Sequence, residues 1–182
     1  MLIRKNVLLP LLLLSFCFAV HAQSAPEVKV PGRTAFYAEL GGPGILFSAN
    51  LDTRFKKSHL GLGGRAGVGF VTASEYEHNP TTGNTTWDEV SVVTVPVQLN
   101  YIFGKGSSPH TFEVGAGFTY MGRKLDVMNF YDDKASKLFG SFAFMYRRQP
   151  MDGGFTWRIG FTPLVAKGYI QPFGAVSVGY SF

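Results

Sequence analysis

Apolar and polar side chains alternate with a period of two through most of the chain, the pattern of β-strands rather than helices. It is clearest at 170–182. There Ile170, Gly174, Val176, Val178, Tyr180 and Phe182 share one face, and Gln171, Ala175, Ser177, Gly179 and Ser181 share the other. Only Phe173 interrupts the polar face. The same alternation predicts strands over 155–165, 138–147, 111–120, 93–103, 60–70, 45–55 and 34–41. In 45–55 the apolar face is read as Ile45, Phe47, Ala49, Leu51 and Phe55. In 34–41 it is Phe36, Ala38 and Leu40, with Tyr37 and Glu39 opposite. The break Gly41-Gly42-Pro43-Gly44 is either a tight turn or a kink, and a kink would make the strand count odd.

Read with the turn, the pattern gives eight strands of about ten residues, the length of a tilted strand crossing a bilayer. The connections alternate as well. Those at 56–59, 104–110 and 148–154 are short, while 71–92 and 121–137 are long and fall at the opposite end. Outer-membrane barrels show this asymmetry, with short periplasmic turns and longer outer loops. The expected fold is therefore all-β, an eight-stranded antiparallel up-and-down transmembrane β-barrel over 34–182. Both termini would lie in the periplasm and the long loops outside.

Alternation alone does not say which face is outside, since a soluble barrel also alternates. The polar faces carry Arg54, Arg65, Arg147 and Arg158 with Glu39, Asp52 and Glu113, and no Lys. A water-facing surface would favour Lys, whereas Arg suits buried, paired sites. The same faces are rich in Gly, which makes room in an eight-strand interior only just wide enough for side chains. Tyr101, Phe103, Tyr120, Tyr146, Tyr180 and Phe182 gather near strand ends, as aromatic girdles do. These features place the apolar face toward lipid and the seven charged residues in the lumen, as a structural network of salt bridges.

The first 22 residues change the composition. Arg4 and Lys5 precede an apolar stretch from Val7 to Val20, and Val20-His21-Ala22 fits a cleavage site. This is the pattern of a secretory signal peptide. Residues 23–33 then read as a short periplasmic tether. Removing 1–22 discards the single cysteine, Cys17, and lowers the formal net charge from +5 to +3 by the loss of Arg4 and Lys5. The basic balance then gives no reason to expect nucleic acid. Of the 182 residues only 16% are charged and 15% are aromatic, with 22 Gly and 17 Phe. That excludes disorder, collagen and a disulfide scaffold.

The chain ends in Val176, Val178, Tyr180 and Phe182 at alternate positions. This resembles the terminal strand of bacterial outer-membrane barrels, which the barrel-assembly machinery recognises. Across 34–182 the chain is similar to the small OmpA/OmpX-type outer-membrane barrels, and more closely to uncharacterised ones of Bacteroidota. The closer likeness is carried by FYAELGGPGILFSANLDTRF, VPVQLNYIFGKG, FEVGAGFTY, YRRQPMDGGFTWRIGFTP and VGYSF. The resemblance implies a fold, an outer-membrane location, contact with outer-membrane lipid and lipopolysaccharide, and insertion by that machinery. It implies no established activity, and no peptidoglycan-binding domain is expected after the barrel.

Candidate chemistry is sparse, and neither a cofactor nor a metal is expected. The stretch 72–90 holds Glu75, Glu77, His78, Asp88 and Glu89 without Lys or Arg, but lacks EF-hand or HExxH spacing. Asp132-Asp133 and Asn84-Thr85-Thr86 read as loop composition, and Arg123-Lys124 as ordinary loop charge. A lipid-modifying enzyme would need a Ser, His and acid near the outer rim. Ser74, Glu75 and His78 are near in sequence, with no spacing that makes a triad. The expected role is structural or interactive, toward an unidentified extracellular ligand through the outer loops. The alternatives are a narrow pore, a lipid-modifying enzyme and a soluble periplasmic binding barrel.

Overall fold

The computed structural model describes residues 32–78, 85–123 and 136–182, with the backbone alone over 73–78 and 85–88. The strands are β1 Thr34–Gly41, β2 Phe47–Arg54, β3 Gly61–His78, β4 Thr85–Gly104, β5 His110–Met121, β6 Leu138–Arg148, β7 Gly154–Phe161, β8 Leu164–Ala166, β9 Tyr169–Gln171 and β10 Gly174–Ser181. Neighbouring strands pair antiparallel in the order β5-β4-β3-β2-β1-β10-β7-β6, and β5 pairs β6. The sheet therefore has no free lateral edge and forms a closed eight-stranded barrel. Its seam joins the ends of the chain, with Phe36 opposite Tyr180 and Glu39 opposite Ser177.

β8 continues the seventh strand and β9 precedes β10 in the eighth. The breaks fall at Thr162-Pro163 and Pro172-Phe173, because proline has no N–H to give to a ladder. Two other bonds bridge them: Thr162 N donates to Phe173 O at 2.7 Å, and Phe142 N to Pro163 O at 3.0 Å. Lys167 and Gly168 both have positive φ, 46° and 80°, and join β8 to β9 in a two-residue hairpin. Positive φ at both central positions gives the turn twist that matches paired strands.

The faces follow the pleat. Phe36, Leu51, Val68, Leu99, Phe118, Phe142, Ile159 and Val178, one from each wall strand, are about half exposed on the outer surface. Such a continuous apolar surface is far larger than the patches of ordinary soluble monomers.

Two expectations are corrected. The connection 71–92 is mostly strand: β3 and β4 pair in register from Val71 opposite Val92 to His78 opposite Thr85. Thr, Val, Tyr and Trp in that stretch favour strand although its apolar alternation is weak. Residues 79–84 lie outside the described residues. Second, Ile45 is not on the outer face. Gly42–Gly44 form a 3-10 turn between β1 and β2, and Gly42, Pro43, Gly44 and Ile45 are all buried inside the barrel. Gly32 N donates to Met151 O at 2.9 Å, and Gln149 Nε2 donates to Gly32 O. Residues 1–31, which hold the expected signal peptide and Cys17, lie outside the described residues.

The inward turn meets an apolar cluster at the end of the lumen opposite the termini. Ile45 packs there with Val71, Val92, Met121, Phe139, Leu164 and Ala166, and Phe173 lies against them. Phe173 had interrupted a polar face in the alternation, and this cluster is what it packs against. Ile45 itself has φ 74° and ψ −76°, with Leu46 N donating to Gly44 O at 3.2 Å. This is the γ-turn of positive φ, a strained conformation for a β-branched residue.

Candidate functional site: an ion-pair chain in the lumen

Strand pleating turns Glu39, Asp52, Arg54, Arg65, Glu113, Arg147 and Arg158 inward from six strands, and each is at most 2% exposed. They form one unbranched chain of alternating sign. Arg54 pairs with Asp52. Asp52 also accepts from Arg147 Nη1 at 2.5 Å, and the same nitrogen lies 2.9 Å from Glu113. Glu113 takes Arg158 Nη1 at 2.8 Å, and Arg158 Nη2 reaches Glu39 at 2.6 Å. Glu39 takes Arg65 Nη2 at 2.8 Å. Every carboxylate thus lies between two guanidinium groups, and both ends of the chain are arginine.

Neutral groups fill the remaining positions. Asn100 receives Arg54 Nη2 at 2.7 Å and donates to Glu113 at 3.0 Å. Ser177 Oγ donates to Glu39 at 2.9 Å. The Arg158 guanidinium carbon lies 3.9 Å from the centre of the Tyr37 ring, and that of Arg65 lies 5.7 Å from it. Such stacking favours Arg over Lys. Asn100, Ser177 and Tyr37 stood on the same faces as the charges in the sequence, which is the signal that could have singled them out.

Glycines give the chain its room. A methyl group at Gly117 would come within 2.8 Å of Gln98 Cβ, and one at Gly42 within 2.6 Å of Glu39 Oε1. The inward turn therefore lies directly over the Glu39 end of the chain. Thr94 Oγ1 donates to Gly44 O at 3.1 Å and Thr119 Oγ1 to Pro43 O at 2.9 Å, which holds the turn in place.

The other sequence candidates lie elsewhere. Val176, Val178, Tyr180 and Phe182 line the outer surface, each about half exposed or more. His59 is buried in the connection 55–60 at the end of the barrel that holds the described termini, and burial together with the charge of Arg147 lowers its pKa from the usual histidine value. His110 opens β5 on the outer surface, where Nδ1 lies 2.5 Å from Tyr146 Oη. Glu89 is exposed on β4. For Ser74, Glu75, Glu77, His78 and Asp88 only the backbone is described, in β3 and β4. Asn84, Lys124, Asp132 and Asp133 lie outside the described residues.

A closed antiparallel eight-stranded barrel with an apolar outer surface and buried charged residues facing inward is the class of protein that these observations define. Among solved structures it is similar to the N-terminal β-barrel domain of Pseudomonas aeruginosa OprF, with a TM-score of 0.53 and 10% identity. The match covers 82% of this chain and 96% of that one. No protein-family model matches the chain, and no curated protein matches it by sequence.

Proposed function

We propose that this chain is an integral outer-membrane barrel whose lumen is closed by the ion-pair chain, and whose role is structural or interactive through its outer connections. The observation that carries the reading is the apolar outer surface, which runs unbroken around all eight wall strands. In water that surface would drive aggregation; against hydrocarbon it is the expected face of a spanning barrel. The likeness to the OprF barrel domain supports it through the fold alone.

On this reading the long β3–β4 hairpin and the 122–137 connection are the parts offered to the exterior, to a ligand not yet identified. Lipid and lipopolysaccharide surround the wall. Val176, Val178, Tyr180 and Phe182 form the strand read by the barrel-assembly machinery, after export through the signal peptide of 1–22. The kinship with Bacteroidota barrels rests on the five sequence phrases quoted above. The reading is non-enzymatic because Ser74, Glu75 and His78 in the long hairpin have no triad spacing.

Cell fractionation tests the location. The chain is expected in the outer-membrane fraction, migrating faster on gels when unboiled than when boiled. Recovery in the soluble periplasmic fraction, with no heat-dependent shift, would overturn the reading.

A further inference from the structure

The charges in the lumen do not cancel. Among the described residues its buried ionised side chains are four arginines and three carboxylates. Arginine keeps its proton throughout the accessible pH range. Each carboxylate is flanked by two guanidinium groups. One positive charge is therefore left over in a space from which water is almost excluded, and isolated buried charge is strongly disfavoured.

The excess belongs to an end of the chain. Arg147 and Arg158 each face two carboxylates, whereas Arg54 and Arg65 face one. The Arg65 end is enclosed: both of its terminal nitrogens go to Glu39, and the Gly42 turn lies over that carboxylate. At the Arg54 end the guanidinium turns to backbone, donating to Gly61 O at 3.0 Å and Asn100 O at 3.4 Å, beside the inner connection 55–60. The buried Nε of each of the four arginines has no partner, and at this end Arg54 Nε and Arg147 Nε are joined by a third unpartnered nitrogen, His59 Nε2. Two are obligate donors, and His59 Nε2 donates in one of its tautomers. Unpartnered donors beside uncompensated positive charge call for an acceptor that is itself negative.

We propose that the inner end of the lumen binds one small monovalent anion of the halide class, held by Arg54 and Arg147 with His59 at its mouth. The anion makes the lumen electrically neutral and gives the orphaned donors an acceptor. It enters from the inner rim, past the short 55–60 connection, and needs no passage through the barrel.

The probe is sodium chloride against sodium gluconate at equal ionic strength, with the full barrel refolded in detergent. Chloride is expected to raise the resistance to urea. Above its dissociation constant each tenfold rise in free chloride should raise the folding equilibrium constant about tenfold. Chloride should also raise the His59 pKa followed by NMR, since the anion offsets the field of Arg147. Arg54→Gln leaves a lumen with no excess charge and is expected to lose the chloride response. His59→Gln keeps the excess and is expected to retain a weaker one. Superimposable unfolding curves and an unmoved His59 titration in the two salts would overturn the proposal. So would an equal response to sulfate and chloride at matched ionic strength, which would assign the effect to screening.

Discussion

Arg158 Nη2 lies 2.6 Å from Glu39 Oε2, although 119 positions separate the two residues in sequence. One stands on β7 and the other on β1, and β10 lies between those strands. The contact spans the seam at which the first and last strands of the barrel meet. Removing any acid of the ion-pair chain therefore takes a counterion from buried arginines on two different strands.

Glu113→Gln is the sharpest test of this, because Glu113 lies between Arg147 and Arg158. Removing one member of a buried ion pair costs about 3–5 kcal/mol. Urea unfolding followed by tryptophan fluorescence should show a loss of that order. Replacing exposed Glu89 in the same way should change stability by less than about 0.5 kcal/mol.

Gly117→Val should prevent the native barrel from forming. Its side chain would have to occupy space where Gln98 Cα lies 2.6 Å from the ideal Cβ position. Gly106→Ala is the matched control, since nothing lies within 4 Å of the corresponding position. The yield of the heat-shifted band on refolding separates the two.

At Ile45 the usual order of damage should invert. Ile45→Ala loses packing in the apolar cluster and keeps the unfavourable φ of 74°. Ile45→Gly loses the same packing, but glycine adopts positive φ freely. The glycine variant should therefore be the more stable by about 1 kcal/mol, the lower end of the cost of such strain. Midpoints of urea unfolding for the two variants decide it.

His59 should give the barrel a pH dependence. Its pKa is lowered in the folded state by burial and by the positive charge of Arg147. The folded form therefore favours neutral His59. The stability this carries is complete above about pH 6.5, the unfolded value, and falls as pH drops through that value toward the lowered one. His59→Gln should flatten the slope between pH 7 and pH 5 in a denaturant series, where about one proton less would be taken up on unfolding.

Val97→Lys tests the outer wall. Val97 lies mid-strand in β4, pointing outward and partly exposed. In lipid a lysine near the bilayer midplane costs about 2–4 kcal/mol. Refolding into vesicles should fall accordingly. A barrel that lived in water would accept the change with little effect.

The sequence made the strands and their two faces legible because strand geometry imposes a period of exactly two side-chain directions, which no loop shares over ten residues. Inner-face membership of residues such as Glu39, Asp52 and Arg158 followed from the same period. The pairing among them did not, since it depends on stagger between strands and on side-chain reach across the lumen. Arg65 shows this: its backbone partner across the ladder is Asp52, yet its guanidinium goes to Glu39 on another strand. Ile45 was misplaced because the period was extended through a turn that folds inward. The upper hairpin was missed because its strands carry Thr, Ser and acids where the rest carry Val and Phe. Where both faces are polar, alternation of hydropathy has nothing to report.

The alternation of sign along the lumen also bears on the order in which the protein assembles. Its seven members come from β1, β2, β3, β5, β6 and β7, and among the hairpins only β5–β6, with Glu113 and Arg147, holds a neutral set. β5 and β6 bring Glu113 and Arg147 together early, but Arg158 gains its second carboxylate only when β1 arrives at β10. A sheet still open along that line would leave Arg65 and Arg158 short of Glu39. A seam closed in another register would pair the backbones of β1 and β10 while leaving Glu39 away from Arg158, and the native register brings the two together.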